Sequence, residues 1–295
     1  MKTRQLMLFL DVAKTGSIAE AARIHGASRT TVSAAVAALE DELGMPLFQR
    51  SGNRITLTPL GNSILPEAER ITAASETIMR RAIQAMSGTE PVLRIARDDA
   101  IPERFWRDWL KDLRVRFPHT AISVYVVSTP ELPSLVDENL ADVAYGMVNG
   151  CEVSDNLTAP VLGNMDVYLV SSPEHNLSRL SYVSNTDLAQ HTEITLSHLE
   201  PSLMPKRGEI SEDYIALTFY EYIRDAAVDG LGWAKVPAVL MRKELQQAQL
   251  SVLRHGEARN QRSFHVIRPG NAAPGDVQSW LSTKVRQYLI DQVQC

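Results

Sequence analysis

Residues 27–44 read ASRTTVSAAVAALEDELG. Short hydroxyls and one arginine crowd the front of this stretch, and the rest is a plain Ala/Leu surface. Ser28 stands where a helix N-cap belongs and Gly44 where a helix stops, so the stretch reads as one helix ending at Leu43. Val32, Val36 and Leu39 would hold this helix to its own core, which leaves Ser28, Arg29, Thr30, Thr31 and Ser33 to touch something else.

The neighbouring residues extend the reading. Residues 3–14 carry Leu6, Phe9, Leu10 and Ala13 at helical spacing, and Gly16 ends that helix. Ser17 caps the next one, with Glu20 completing a capping box. It spans 18–25 and breaks at Gly26. Two helices joined by a turn of about three residues around a glycine form a helix-turn-helix pattern. Ala21, Ala22 and Val32 are small enough to sit where the helices cross. Then comes FQRSGNRITLTPLG, with short strands around Gln49 and Ile55–Leu57 joined through Ser51-Gly52-Asn53, a candidate wing.

Residues 59–87 predict one long helix. Ile64, Ile71 and Ile78 repeat every seven residues, and Ala68, Ser75 and Ala82 form a second track offset by four. That is an a/d seam for two-stranded packing between copies of the chain, unless the helix lies on the protein's own core. Pro66 removes one backbone bond inside it. Residues 87–91, SGTEP, read as a hinge.

The remainder alternates strand and helix. Strand 92–97, helix 102–116, strand 122–127, helix 131–139 and strand 142–146 form a parallel β-α-β-α-β unit. A second unit begins near 160, with strand 166–171, strand 192–197, helix 215–228, strand 231–236 and helix 237–246. A strand at 264–268 and a last helix at 275–291 close the chain. The expected domains are therefore a head over 1–58, a linker helix and hinge over 59–90, and an α/β body over 91–295.

Composition narrows the function classes. Residues 1–60 hold seven Lys/Arg against five Asp/Glu, a net +2, while the other residues sum to −7. A mildly basic head on an acidic body suits DNA contact by one small domain. Two cysteines, Cys151 and Cys295, exclude a disulfide framework and point to a reducing, cytoplasmic setting. The apolar run Leu6–Leu10 is too short for a signal-peptide core, and no stretch approaches a membrane span. There is no G-x-S-x-G, no phosphate-cradling glycine loop and no Cys/His zinc set, which argues against an enzyme. His191 and His198 have no partner at metal-ligand spacing, so neither a metal nor a cofactor is expected.

RQLMLFLDVAKTGSIAEAA, the ELG-x-PLF-x-R run and the LTP-x-G run, in that order, resemble the winged helix-turn-helix of LysR-type transcriptional regulators. DGLGWAKVP resembles the late glycine motif of that family's second α/β subdomain. The resemblance covers the whole chain. It implies a winged helix-turn-helix head, a linker helix that makes a homodimer, commonly assembled as a tetramer, and a two-lobed α/β domain like periplasmic solute-binding proteins. It also implies double-stranded operator DNA and a small-molecule effector as partners. It implies a division of the body into one lobe of about 91–160 plus 268–295 and another of about 161–267.

On that layout the front of the second helix enters the major groove. Arg29 can read a guanine edge, worth about 1–3 kcal/mol of discrimination. Thr30 can touch a thymine methyl or a base edge, and Ser28, Thr31 and Ser33 can bond phosphates, although these hydroxyls also suit plain capping. Many family members carry Arg where this chain has Ala34, which shifts weight onto Arg29 and onto Arg50 and Arg54 of the wing, with Asn53 serving its turn.

Ligands of two-lobed α/β folds bind at the carboxyl ends of strands. The first such loop, ARDDAIPERF, offers Asp98, Asp99 and Ala100 where the family often has Ser or Thr. Two carboxylates favour a cationic or hydroxyl-rich effector, unless they cap the helix near Pro102 and point away. Ser128 and Thr129 of the second loop, with Thr195, Ser197 and Trp233 from the other lobe, complete the expected wall; Trp233 suits a core position equally well.

Overall fold

A computed structural model describes residues 1–51, 54–87, 89–148, 153–197, 210–270 and 273–293. Asn53, Gly88, His198, Cys151 and Cys295 lie outside the described residues. The chain divides into two compact units, Met1–Ala82 and Ile83–Cys295.

The first unit holds α1 (Thr3–Thr15), α2 (Ile18–Ile24), α3 (Arg29–Leu43), a hairpin of β1 (Phe48–Ser51) and β2 (Arg54–Leu57), and the start of α4 (Pro59–Ser87). The Ser17 hydroxyl accepts from the Glu20 amide and starts α2, and the Ser28 hydroxyl does the same for α3 from the Thr31 amide. Gly16 and Gly44 end α1 and α3 in the left-handed region, with φ of 66° and 72°. Ala21, Ala22, Val32 and Val36 pack with Leu8 and Val12 where the helices cross. The Glu40 carboxylate accepts from the Leu47 and Phe48 amides at 2.7 and 3.1 Å and turns the chain from α3 into β1. Thr58 donates to the Pro46 carbonyl and accepts from the Gly61 amide, which seats the first turn of α4. A Cβ on Gly61 would fall 2.3 Å from the Leu47 carbonyl oxygen. The spacing of ELG, PLF and LTP-x-G is thus the spacing of one hydrogen-bonded corner.

The second unit is an α/β body: β3 (Val92–Arg97), α5 (Glu103–Arg116), β4 (Ala121–Val126), α6 (Leu132–Asp137), β5 (Val143–Gly146), β6 (Leu157–Thr158), β7 (Val161–Ser171), α7 (Asn176–Arg179), α8 (Asn185–Ala189), β8 (Glu193–Leu196), β9 (Tyr214–Leu217), α9 (Tyr220–Val228), β10 (Trp233–Pro237), α10 (Arg242–Gln246), β11 (Ser251–Val252), β12 (Arg259–Pro269) and α11 (Asp276–Val293). The sheet runs in the order β4-β3-β5-β12-β7-β10-β8-β9. β3 pairs in parallel with both β4 and β5 in the first lobe, and β8 with β9 and β10 in the second. Long strands β7 and β12 pair antiparallel with each other and join the lobes. β7 serves both sides: its Leu162, with Phe264 and Val266 of β12, belongs to the core around Trp106 and Ile95, and its Val170 to the core around Ile194 and Ala227.

Several expected elements differ. The helix expected over 215–228 is a strand at its start, because Tyr214–Leu217 pairs with β8 and the helix begins only at Tyr220. The helix expected over 131–139 is a 3-10 turn, Thr129–Glu131, followed by α6. The helix expected over 237–246 is likewise a 3-10 turn at Ala238–Leu240 followed by α10. The strands expected at 166–171 and 264–268 are the C-terminal parts of much longer ones, Val161–Ser171 and Arg259–Pro269. Glu90, expected in a hinge, is buried, and its carboxylate caps α11 through the Val277 and Gln278 amides at 3.0 and 3.1 Å.

Candidate nucleic-acid interface and effector cleft

The front of α3 is presented as its sequence suggests. Arg29, Thr30, Thr31, Ser33 and Ala34 are exposed, while Val32 and Leu39 beneath them are fully buried. Ser28 is occupied as the cap, and its hydroxyl lies 2.6 and 2.8 Å from those of Thr30 and Thr31. These hydroxyls fix the helix start and each other. The Arg29 side chain has no ion pair among the described residues and is the one long cation on this edge of the helix. Arg50 and Arg54 stand on β1 and β2, in register with Ile55 and Ser51. The His25–Asp11 pair, which closes α2 back onto α1, had no periodic signal in the sequence.

The seam expected along α4 divides. Ala68 is buried, and with Ile64 it packs on Leu6, Phe9, Leu39 and Leu47 of the head's own core, which corrects their expected place between chains. Ile71 and Ile78 are exposed, as are Ala82, Met79, Ile83 and Met86 on the same helix, and Ser75 is half-buried. An apolar stripe of this length on a helix is unusual for a surface in water.

In the body, the loops after β3 and β4 meet the second lobe. Asp98 is a correction to the expected cleft wall. Its carboxylate is buried and accepts from the Ala100 amide at 3.1 Å, the Met147 amide at 2.9 Å and the Thr129 hydroxyl at 3.0 Å. Ala100 is fully buried too. Asp99 neither caps the helix near Pro102 nor lies free. It crosses to the other lobe and accepts from the Tyr220 and Glu221 amides at 3.0 and 2.9 Å, at the N-terminus of α9. That position matches its charge to the helix dipole. Ser128 crosses as well, donating to the Ser197 carbonyl at 2.9 Å. The first-lobe loops and Ser197 are thus brought together, whereas Thr195 stands on β8 paired with Ala216. Trp233 is core: its indole is fully buried among Leu169, Leu177 and Leu188, and its ring N–H donates to the Leu188 carbonyl at 3.0 Å.

Between the lobes lies a cavity of 190 Å³, lined among others by Arg97, Asp99, Glu103, Phe219, Glu221 and Tyr222. Five of these six escaped the sequence reading, since only Asp99 was singled out. Arg97 occupies an ordinary inward position of a strand, and the start of α9 was hidden by the misplaced helix boundary.

Burial pushes the Asp98 carboxyl up to about 6 from 3.8; the Asp99 charge adds to the rise, and the Met147 and Ala100 amides and the Thr129 hydroxyl oppose it. Burial raises Asp99 as well, against the Glu221 and Tyr220 amides. Between pH 4 and 6 the folded chain holds a proton at Asp98 that the unfolded chain has released. This group's contribution to stability therefore falls as pH rises through that window, by an amount on the order of 3 kcal/mol in full. Lowering the pH from 7 to 5 is expected to stabilise the parent chain relative to Asp98→Asn, measured as the difference between their urea midpoints. A difference that stays level with pH would contradict the raised acid.

Among the described residues no helix is long and apolar enough to cross a membrane, and no group of three His, Cys, Asp or Glu could hold a metal ion. Two family models match the chain: a bacterial regulatory helix-turn-helix protein of the lysR family over residues 3–62, and a LysR substrate binding domain over residues 87–289. A probable nitrogen assimilation transcriptional activator of Synechococcus elongatus is 30% identical, over 60% of this chain and 58% of that protein. The uncharacterized HTH-type transcriptional regulator YfiE of Escherichia coli is 24% identical over 87% of this chain and 88% of its own. The crystal structure of ArgP from Mycobacterium tuberculosis shares the fold, with a TM-score of 0.63 at 18% identity, covering 97% of this chain and 96% of its own.

Proposed function

The chain belongs to the lysR family of bacterial helix-turn-helix regulators, DNA-binding transcription regulators with an effector-binding domain rather than enzymes, and we propose that it reads an operator with the front of α3 and takes its effector between the two lobes of its body. The DNA-contacting set is Arg29 and Thr30 at base edges, Ser28, Thr31 and Ser33 at phosphates, and Arg50 and Arg54 of the wing at phosphates or a narrow minor groove, with Asn53 in the wing's turn. The working parts are the head over 1–58, the linker over 59–90 and the body over 91–295. The observation that carries the DNA reading is the exposed Arg29, without an ion pair among the described residues, standing above the buried Val32.

Two copies would pair along α4 through Ile71, Ser75, Ile78 and Ala82, placing two recognition helices on a pseudo-palindromic site. The exposed apolar stripe supports this pairing. Dimers would then assemble into a tetramer. Effector binding shifts lobe closure, and with it the arrangement of heads, only so far as the effector prefers one arrangement over the other. Asp99 and Ser128 are the ties such a shift must remake. Their carboxylate and hydroxyl favour a cationic or hydroxyl-rich effector once released.

Arg29→Ala tests the DNA reading. Specific binding is expected to weaken by about 5- to 150-fold, the equivalent of one bidentate base contact, while binding to unrelated duplex falls much less. Competition titrations at one fixed salt concentration check this. Equal losses on both duplexes would make Arg29 a phosphate contact.

A further inference from the structure

We propose that the cavity between Arg97 and the start of α9 binds a small zwitterion, with its carboxylate on the Arg97 guanidinium and its ammonium held by Glu103 and Glu221. This rests on the effector reading and names the chemistry of that site.

The argument starts from an incomplete pairing. Arg97 closes β3, and its side chain is only 4% exposed. Nη1 donates to the Asp98 carbonyl at 3.1 Å, Nη2 pairs with Glu103, and the guanidinium carbon lies 5.0 Å from the Trp106 ring centroid. Nε is buried and has no partner among the described residues. A guanidinium binds a carboxylate best through two parallel N–H groups, and Nε with Nη2 is one such fork. Here the fork is half filled, beside a cavity. A buried donor left unpaired costs free energy that an incoming acceptor would recover.

Glu103, the present holder of Nη2, is half exposed, with 54% of its side chain open. It can turn away at little cost, whereas Arg97 cannot. A ligand carboxylate would then take both N–H groups, and Glu103 would remain nearby as an anion. A plain carboxylic acid does not fit the rest of the site. Asp99, Glu103 and Glu221 line the same cavity against the single charge of Arg97, so a second net anion meets repulsion that grows as water leaves. Asp99 is already committed to the α9 amides. A plain amine satisfies Glu103 and Glu221 but leaves Nε orphaned. A molecule carrying both charges answers every group. Val126 and the Phe219–Tyr222 ring pair, with centroids 5.4 Å apart, supply an apolar flank for its side group. At 190 Å³ the space lies below the roughly 300–1,000 Å³ of drug-sized sites, which selects a small metabolite.

The test is thermal unfolding of the full chain with matched probes: L-leucine against 3-methylbutylamine and 4-methylpentanoate, and L-phenylalanine against phenethylamine and 3-phenylpropanoate. One of the amino acids, well above its dissociation constant, should raise the melting temperature by several degrees, with its amine-only and acid-only counterparts inert. Glu103→Gln should keep the fold and narrow the discrimination, so that the acid-only counterpart, inert on the parent chain, gains a measurable melting shift while that of the amino acid shrinks. Stabilisation by the amine or the acid alone in the parent chain, or by none of the probes, overturns the zwitterion site. The broader effector reading fails separately, on a DNA footprint that no amine, nucleoside or sugar alters either.

Discussion

Trp233→Ala should lower the melting temperature of the C-terminal unit by roughly 10 °C. Truncating a fully buried indole costs about 3–5 kcal/mol through lost transfer energy and the void left behind, and a unit of this size shifts about 2–4 °C per kcal/mol. Trp233 is 0% exposed among Leu169, Leu177, Val183, Leu188 and Leu253, all themselves buried, so nothing nearby can swing in from solvent. The change also leaves the Leu188 carbonyl without its indole donor. Calorimetry of the full chain reads the effect directly. If Trp233 lined a ligand cleft instead, the alanine variant would melt within a degree or two of the parent and change only ligand affinity.

Gly146→Ala should destabilise the same unit by about 3 kcal/mol, at the upper end of what overpacking a core costs. A Cβ there would fall 2.3 Å from Leu132 Cδ1 and 2.6 Å from Asp98 Oδ2. Neither neighbour can give way. Leu132 is fully buried, and Asp98 is tied by three donors, one of them the Met147 amide next to the substituted residue. The loop after β3 would have to move, and with it Asp99 and its hold on α9. Gly256→Ala is the control, since its nearest neighbour, the Tyr182 hydroxyl, is 3.6 Å from the added atom. The control is expected to leave the urea midpoint nearly unchanged. A Gly146→Ala chain as stable as the control would mean that the Asp98 cluster tolerates displacement and does not fix the loop that carries Asp99 to α9.

The head was legible at close range. Its caps, turns and buried stripe are short-range patterns, so Ser17, Ser28, Gly16 and Gly44 announce the helices and Val32, Val36 and Leu39 their inner face. The alternation of strand and helix from β3 to β5 was legible for the same reason. Asp99 was legible as a residue that matters and misread in its task. Its partners are amides more than a hundred residues away, and no local pattern points across that distance. The start of β9 was misread because YIAL suits a helix face and a strand equally, until pairing with β8 decides it.

By itself, then, the sequence determined a winged helix-turn-helix with Arg29 at its exposed front, a long apolar-striped helix behind it, and a two-lobed α/β body. The helices and strands follow from periodicity and capping, which act over a few residues, and the two lobes are what the resemblance to LysR-type regulators implied. Only the tertiary structure decided that Ile64 and Ala68 belong to the head's core, that Trp233 is sealed, that Asp98 is spent on the Ala100 and Met147 amides and the Thr129 hydroxyl, and that Arg97 faces a cavity with half its fork unfilled. Burial and long-range pairing set those outcomes. Both depend on which distant segments meet, and a carboxylate or guanidinium reads the same in sequence whether it meets an amide, a counter-ion or open space.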